Sequence, residues 1–146
     1  MHISHQIIKN ADFKNADGSI TLDYQSRSLR RKSLMSDQGE TIMVELPEVV
    51  SLESGDGFIL DDGRVFIIKA KPEALLRIEH ENLARVAWHI GNRHVPCEVG
   101  TDFILIQEDH VLADMLKKLG AKLQNVEAIF NPEGGAYGIG RTHSHD

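Results

Sequence analysis

Cysteine is almost missing from this chain. Cys97 stands alone among 146 residues, so no intrachain disulfide can form and stability must come from packing. No apolar run approaches the length of a membrane span, and the first residues lack the apolar stretch of a secretory leader. A soluble, cytoplasmic protein is the simplest expectation. Aromatic anchors are few: one Trp, two Tyr and five Phe. Two small cores built from so little would each be marginal, so oligomerisation is an expected source of stability. Positive charge is also short. Sixteen Lys and Arg face 22 Asp and Glu, a net charge of −6 with the eight His neutral, which argues against a nucleic-acid partner. There is no Gly-Lys-Ser/Thr phosphate loop, so any nucleotide step would belong to a partner. What remains is an ordinary globular balance of apolar and charged residues, enough for a fold and too apolar for a disordered regulator.

The first 71 residues read as a β-rich domain. Ile20, Leu22 and Tyr24 alternate on one face of a strand, and Ile42, Val44 and Leu46 on one face of another. Phe58 to Leu60 and Val65 to Ile68 flank Asp61-Asp62-Gly63, the signature of a hairpin. Ser54 to Gly57 marks a further tight turn. Short strands with frequent turns point to a small sandwich or barrel. His2 and His5 read as part of a polar, solvated leader. Arg27, Arg30, Arg31 and Lys32 form one basic cluster in an acidic chain. It is read first as a solvated strand or loop, and second as a docking patch.

Pro72 disfavours a helix at Lys71, which places an extended boundary there. The following segment, residues 72–133, has a different rhythm. Ala74 to His80 reads as a strand. Glu81 to Ile90 reads as a helix with Leu83, Ala87 and Ile90 on one face and Gly91 as its left-handed stop. His94 to Val99 and Phe103 to Glu108 read as strands around Gly100. Asp109 is a good N-cap for a second helix, with Val111, Leu112, Met115, Leu116 and Leu119 as its stripe and Gly120 as its stop. Leu123 to Phe130 supplies a last strand. The order is βαββαβ, the split ferredoxin-like unit, so the fold class is α+β. Both helices then cover one sheet face. Val95, Cys97 and Val99 should point to the helices, and His94, Pro96 and Glu98 to the open face, which invites a partner or a second copy. Cys97 is read as a small buried hydrophobe. Residues 134–146 are Gly-rich, are expected to be a flexible tail, and carry His143 and His145.

Trp88 to Pro96, WHIGNRHVP, sets His89 and His94 around a Gly-Asn pair, and His110 opens the second helix. Imidazole is the commonest protein ligand for intermediate metals, so metal binding is raised before any family is considered. Spacing alone leaves structural or solvated imidazoles equally open. His89, close to a helix end, is read as structural.

Four stretches make the comparison specific: WHIGNRHVP (88–96), EDHVLADMLKKLG (108–120), FNPEGGAYG (130–138) and the His-bearing C-terminus. LDYQSR (22–27), RRK (30–32) and GDGFILDDGRVFIIKA (55–70) extend it over nearly the whole chain. The sequence resembles the urease accessory metallochaperones, homodimers that deliver nickel to apo-urease. The resemblance implies an N-terminal β domain similar to a peptide-binding chaperone domain. It also implies a ferredoxin-like domain that binds metal and forms the dimer. The main ligand would be His94, two copies of which share one ion at the two-fold axis. C-terminal histidines, here His143 or His145, would add ligands. His110 corresponds to a peripheral metal position in some members, whose companion two residues earlier is His; here it is Glu108, an oxygen donor. The implied partners are the urease accessory GTPase and the apo-urease assembly complex, with Arg27 to Lys32 as a docking patch.

These readings describe a Ni(II) carrier, not an enzyme. An incomplete shell suits a carrier, because a recipient can displace its ligands one at a time. Binding needs neutral imidazole, so affinity should fall as pH drops through about 6.5. Zn(II) and Cu(II) should also bind in vitro, since nickel does not head the affinity order. A hydrolytic metal enzyme would need a third ligand and a general base, which the chain does not offer convincingly. The rival is a peptide-binding or protein-binding chaperone module in which metal is incidental.

Overall fold

The computed structural model describes residues 2–11 and 13–133. The chain divides into two compact units, Met1–Lys71 and Pro72–Asp146.

The first unit contains β1 (His2–Ile8), β2 (Gly18–Leu22), β3 (Ser28–Met35), β4 (Thr41–Ser51), β5 (Gly57–Leu60) and β6 (Val65–Ala70). They form one sheet in the order β2-β6-β5-β1-β4-β3. β1 runs parallel to β4, and β2 parallel to β6; the other pairs are antiparallel. Ile20 on one edge strand and Leu34 on the other belong to the same core, with Ile42, Val44, Phe58, Phe66 and Ile68 between them. Opposite edges can share a core only if the sheet curls on itself, as twisted sheets do. Asp37, just beyond β3, donates its N–H to the Ser19 carbonyl of β2 at 2.8 Å and so ties the two ends together. The Asp-Gly hairpin forms as expected, with Gly63 at φ 90°.

Two expectations for this unit are overturned. His2 and His5 are not in a leader: they lie in β1, an interior strand paired on both sides, although His5 is exposed as expected. Its sequence alternates poorly because its backbone ladders, more than its side chains, hold it. The basic cluster is also not one surface. Arg27 is only 3% exposed, lies over the Tyr24 ring at 5.7 Å and donates from Nη1 to the Leu22 carbonyl. A guanidinium used this way packs the core edge and is removed from docking. Arg30, Arg31 and Lys32 are exposed on β3, an edge strand.

The second unit contains β7 (Glu73–Glu79), α1 (Leu83–Asn92), β8 (Glu98–Val99), β9 (Ile104–Gln107), α2 (His110–Lys118) and β10 (Lys122–Ala128). The element order is βαββαβ, and the antiparallel sheet runs β10-β7-β9-β8, the ferredoxin-like arrangement. Leu76, Ile78, Ile104 and Ile106 meet Val86 and Ile90 of α1 and Leu112 and Leu116 of α2. Val111, expected in the α2 stripe, is instead exposed. His80 fastens the two helices. It accepts the Asn82 N–H at Nδ1 (2.8 Å) and faces the Leu119 carbonyl with Nε2 (2.9 Å), which fixes a neutral ring protonated on Nε2.

The far sheet face is less open than the sequence implied. Leu75 and Leu105 point away from the helical core, yet both are buried. The chain leaving β10 explains this. Asn131 N–H reaches the Glu98 carboxylate (2.9 Å) and Glu133 N–H reaches the Cys97 carbonyl (2.8 Å), at the opposite edge. The segment between must cross the sheet, and Phe130 within it is fully buried. Phe103 covers the same face beneath the Arg77 guanidinium, 4.6 Å away. A Cβ at Gly100 would run into that Phe103 ring, which accounts for the glycine there. Phe130→Ala is therefore expected to cost about 3–5 kcal/mol in chemical denaturation, against less than about 0.5 kcal/mol for Val111→Ala. Equal effects of the two would show that the crossing segment is not part of the core.

Candidate metal centre

The centre begins with how α1 stops. Asn82 caps its start, accepting the Arg85 N–H. At its end the His94 N–H bonds to the Gly91 carbonyl at 2.9 Å, and the Val95 N–H reaches back to Ile90 at 3.4 Å. This five-to-two and six-to-one pair is a Schellman closure, which requires a left-handed residue at its turning point. That residue is His94, at φ 59°. Gly91, expected as the stop, remains inside the helix. The second helix closes in the same way, Gly120 N–H to Lys117 and Ala121 N–H to Leu116, both 3.0 Å, but with glycine at the turning point, φ 87°. The two closures form an internal comparison: α2 uses the residue that physics favours, and α1 uses an imidazole. A side chain in the left-handed region costs about 1–2 kcal/mol.

The closure also corrects the strand reading. His94 is left-handed and Pro96 has no N–H, so the expected strand from His94 to Val99 shrinks to Glu98–Val99. Val95 returns to the core with Cys97, as the strand phase implied, whereas Val99 is 47% exposed. His94 itself is exposed, and among the described residues no hydrogen bond or ion pair engages its ring. His89 is half-buried and meets the exposed Trp88 edge-on, with ring centroids 5.1 Å apart. Burial, and then the Glu133 carboxylate, push the Cys97 thiol upward, which keeps it protonated and inert.

Glu108 and His110 flank Asp109, whose carboxylate caps α2 by accepting the Val111 and Leu112 N–H groups. Both flanking residues are exposed. No cluster of three metal-capable donors among the described residues includes His94, Glu108 or His110. His143 and His145 lie outside the described residues. The donors brought together are His2, Asp61 and Asp62 in the first unit. Sequence reasoning missed this group because β1 was read as a leader. Once β1 is a strand, the antiparallel pairing of Ser4 with Leu60 carries His2 to the tip of the β5–β6 hairpin.

Two family models divide the chain where the fold does. The N-terminal domain of the UreE urease accessory protein matches residues 4–71, and its C-terminal domain residues 73–146. The class is that of accessory proteins in urease maturation. The chain belongs to the UreE urease accessory protein family. It is 48% identical over 139 residues to the urease accessory protein UreE of Ruegeria pomeroyi, covering 95% of this chain and 93% of that one. To that of Paracoccus denitrificans it is 50% identical over 139 residues, covering 95% and 88%. To that of Rhodobacter capsulatus it is 43% identical over its full 146 residues, 93% of the relative. Among the described residues no helix is long and apolar enough to cross a membrane.

If the left-handed backbone at 94 carries a cost, His94→Gly should be more stable than His94→Ala by about 1 kcal/mol. Urea denaturation of the two variants measures it; equal midpoints would remove the strain from the account.

Proposed function

We propose that this chain is a nickel metallochaperone, carrying Ni(II) to apo-urease with His94 as its principal ligand. The observation that carries the reading is the placement of His94: a side chain held in a backbone conformation that favours glycine, with its ring turned to solvent. Backbone cost retained at an exposed imidazole is best accounted for by a function of that ring.

One imidazole does not hold nickel. A homodimer supplies a second copy of His94 across a two-fold axis, and His143 or His145 and water complete the shell. The second unit is the metal-binding and dimerisation domain, and the first is the peptide-binding-like domain. Exposed Trp88, Val99, Val111 and Ile129 supply apolar surface for a second copy now that Phe130 and Phe103 cover the far sheet face. Glu108 and His110 form a weaker peripheral site, available because Asp109, not either of them, does the capping. Zn(II) and Cu(II) compete for the same donors. The compartment is the cytoplasm, and the chemistry is transfer without catalysis.

Nickel titration calorimetry near pH 7.5, with mass followed by light scattering, tests the centre. Wild type should take about one tight nickel per dimer. His94→Ala should lose it while the dimer persists. Unchanged binding in His94→Ala would move the site to the tail or to Glu108 and His110, and would favour the reading in which metal is incidental.

The implied partners are the urease accessory GTPase and the apo-urease assembly complex. Arg30, Arg31 and Lys32 are the docking residues in this proposal, without Arg27. Reversing Arg31 and Lys32 to Glu should weaken pull-down of the GTPase at low salt and leave nickel binding unchanged. Retained pull-down would assign the exposed charges to protecting the β3 edge instead.

A further inference from the structure

We infer that His2, Asp61 and Asp62 form a second cation site, in the first unit, for a divalent first-row transition metal. The β5–β6 hairpin offers two adjacent carboxylates, and β1 brings one imidazole against them. His2 Nδ1 lies 3.1 Å from Asp61 Oδ1 and 3.6 Å from Asp62 Oδ2. Donors about 2.1 Å from a common ion stand about 3.0–3.5 Å apart in octahedral or tetrahedral shells. One of these separations falls in that range and the other just beyond it, and all three donor atoms lie within 4.8 Å of one another, so a small closing movement would bring them round one ion. The backbone fixes this tip: the Asp61 N–H bonds to the Ile3 carbonyl at 2.8 Å, and the Gly63 N–H to Leu60 at 2.9 Å.

The charge balance also fits a divalent ion. Arg64 grips Glu40 through both terminal nitrogens (3.0 and 2.9 Å) and reaches Asp62 Oδ2 with Nε at 2.8 Å. The three formal negative charges of Glu40, Asp61 and Asp62 thus meet the single formal positive charge of Arg64. Two negative charges are left unbalanced. Arg64 Nε takes one lone pair of Asp62 Oδ2, which leaves that oxygen's other lone pair and the Asp61 carboxylate for a cation. An open cleft lined by His2, Glu40, Thr41 and Arg64 gives access. One nitrogen and two oxygens suit nickel or zinc; an imidazole disfavours magnesium and calcium. This site uses no residue of the His94 centre.

Ni(II) titrated into the full-length, nitrogen-15-labelled protein tests the assignment through paramagnetic broadening of individual amides. The expected result is broadening of Asp61, Asp62, Gly63 and their β1 neighbours, saturating with added nickel. His2→Gln and Asp61→Asn should each weaken that response at least about tenfold. Asp61→Asn leaves the backbone bond to Ile3 in place, so loss of binding would not reflect loss of fold. No broadening at the hairpin tip overturns the site. Broadening there that survives Asp61→Asn also overturns it, since an imidazole alone would then be responsible. Amides around His94 report on the other centre in the same spectra, so failure of one reading is distinguishable from failure of the other.

Discussion

The geometry of the second unit turns on one backbone reversal, the left-handed residue that ends α1. Because residue 94 turns there, Val95 points back into the core and Pro96 and Cys97 lead into a strand of only two residues. The same turn throws the residue 94 side chain outward. Fold and candidate centre are thus set by one dihedral angle. Glycine would satisfy the reversal with less strain, as Gly120 does at the end of α2. Histidine at this position places an exposed imidazole on a Cα fixed by the backbone bonds of His94 and Val95, which is what the proposed ligand role requires.

The crossing segment after β10 is the complementary constraint. A sheet with helices on one side must cover its other side or leave apolar side chains in water. Here the chain covers it with Phe130 and is anchored at the β8 edge through Asn131 and Glu133. The closure fixes where residues beyond 133 begin: beside Cys97 and Glu98, a few residues along the chain from His94. This geometry shortens the path that a C-terminal donor would have to span.

Much of this was legible in the sequence, and the failures have specific causes. Period-two alternation located β2, β4 and the β5–β6 hairpin. Helical periodicity and the Asp109 cap located α1 and α2, because each signal reports burial of one face. β1 was missed because an interior strand paired on both sides needs no clean alternation. The stop of α1 was placed three residues early because glycine is the usual left-handed residue, and sequence pattern does not reveal a histidine that pays for the same angle. Arg27 was grouped with Arg30, Arg31 and Lys32 by proximity along the chain, whereas tertiary packing beside Tyr24 separates it from them. Of the candidate site, the motif nominated His94, but its left-handed place at the end of α1 was not legible. Nor was the His2, Asp61 and Asp62 group, since it exists only through the register of β1 against β5.

The two donor groups differ in a way that bears on handling metal. In the proposed reading His94 offers a single donor on a rigid turn, with no partner of its own among the described residues. An ion there must recruit ligands from elsewhere, so its shell assembles and comes apart in steps. The hairpin group is anionic and preassembled, but Arg64 stands at its edge as a built-in competitor. A closed four-ligand cage would hold an ion as part of the fold, as structural zinc sites do. Neither group can do that. One lacks donors and the other contains its own displacing cation. If the two groups bind metal as proposed, both deficiencies would shorten the residence of the ion, which is the property that separates carriage from storage.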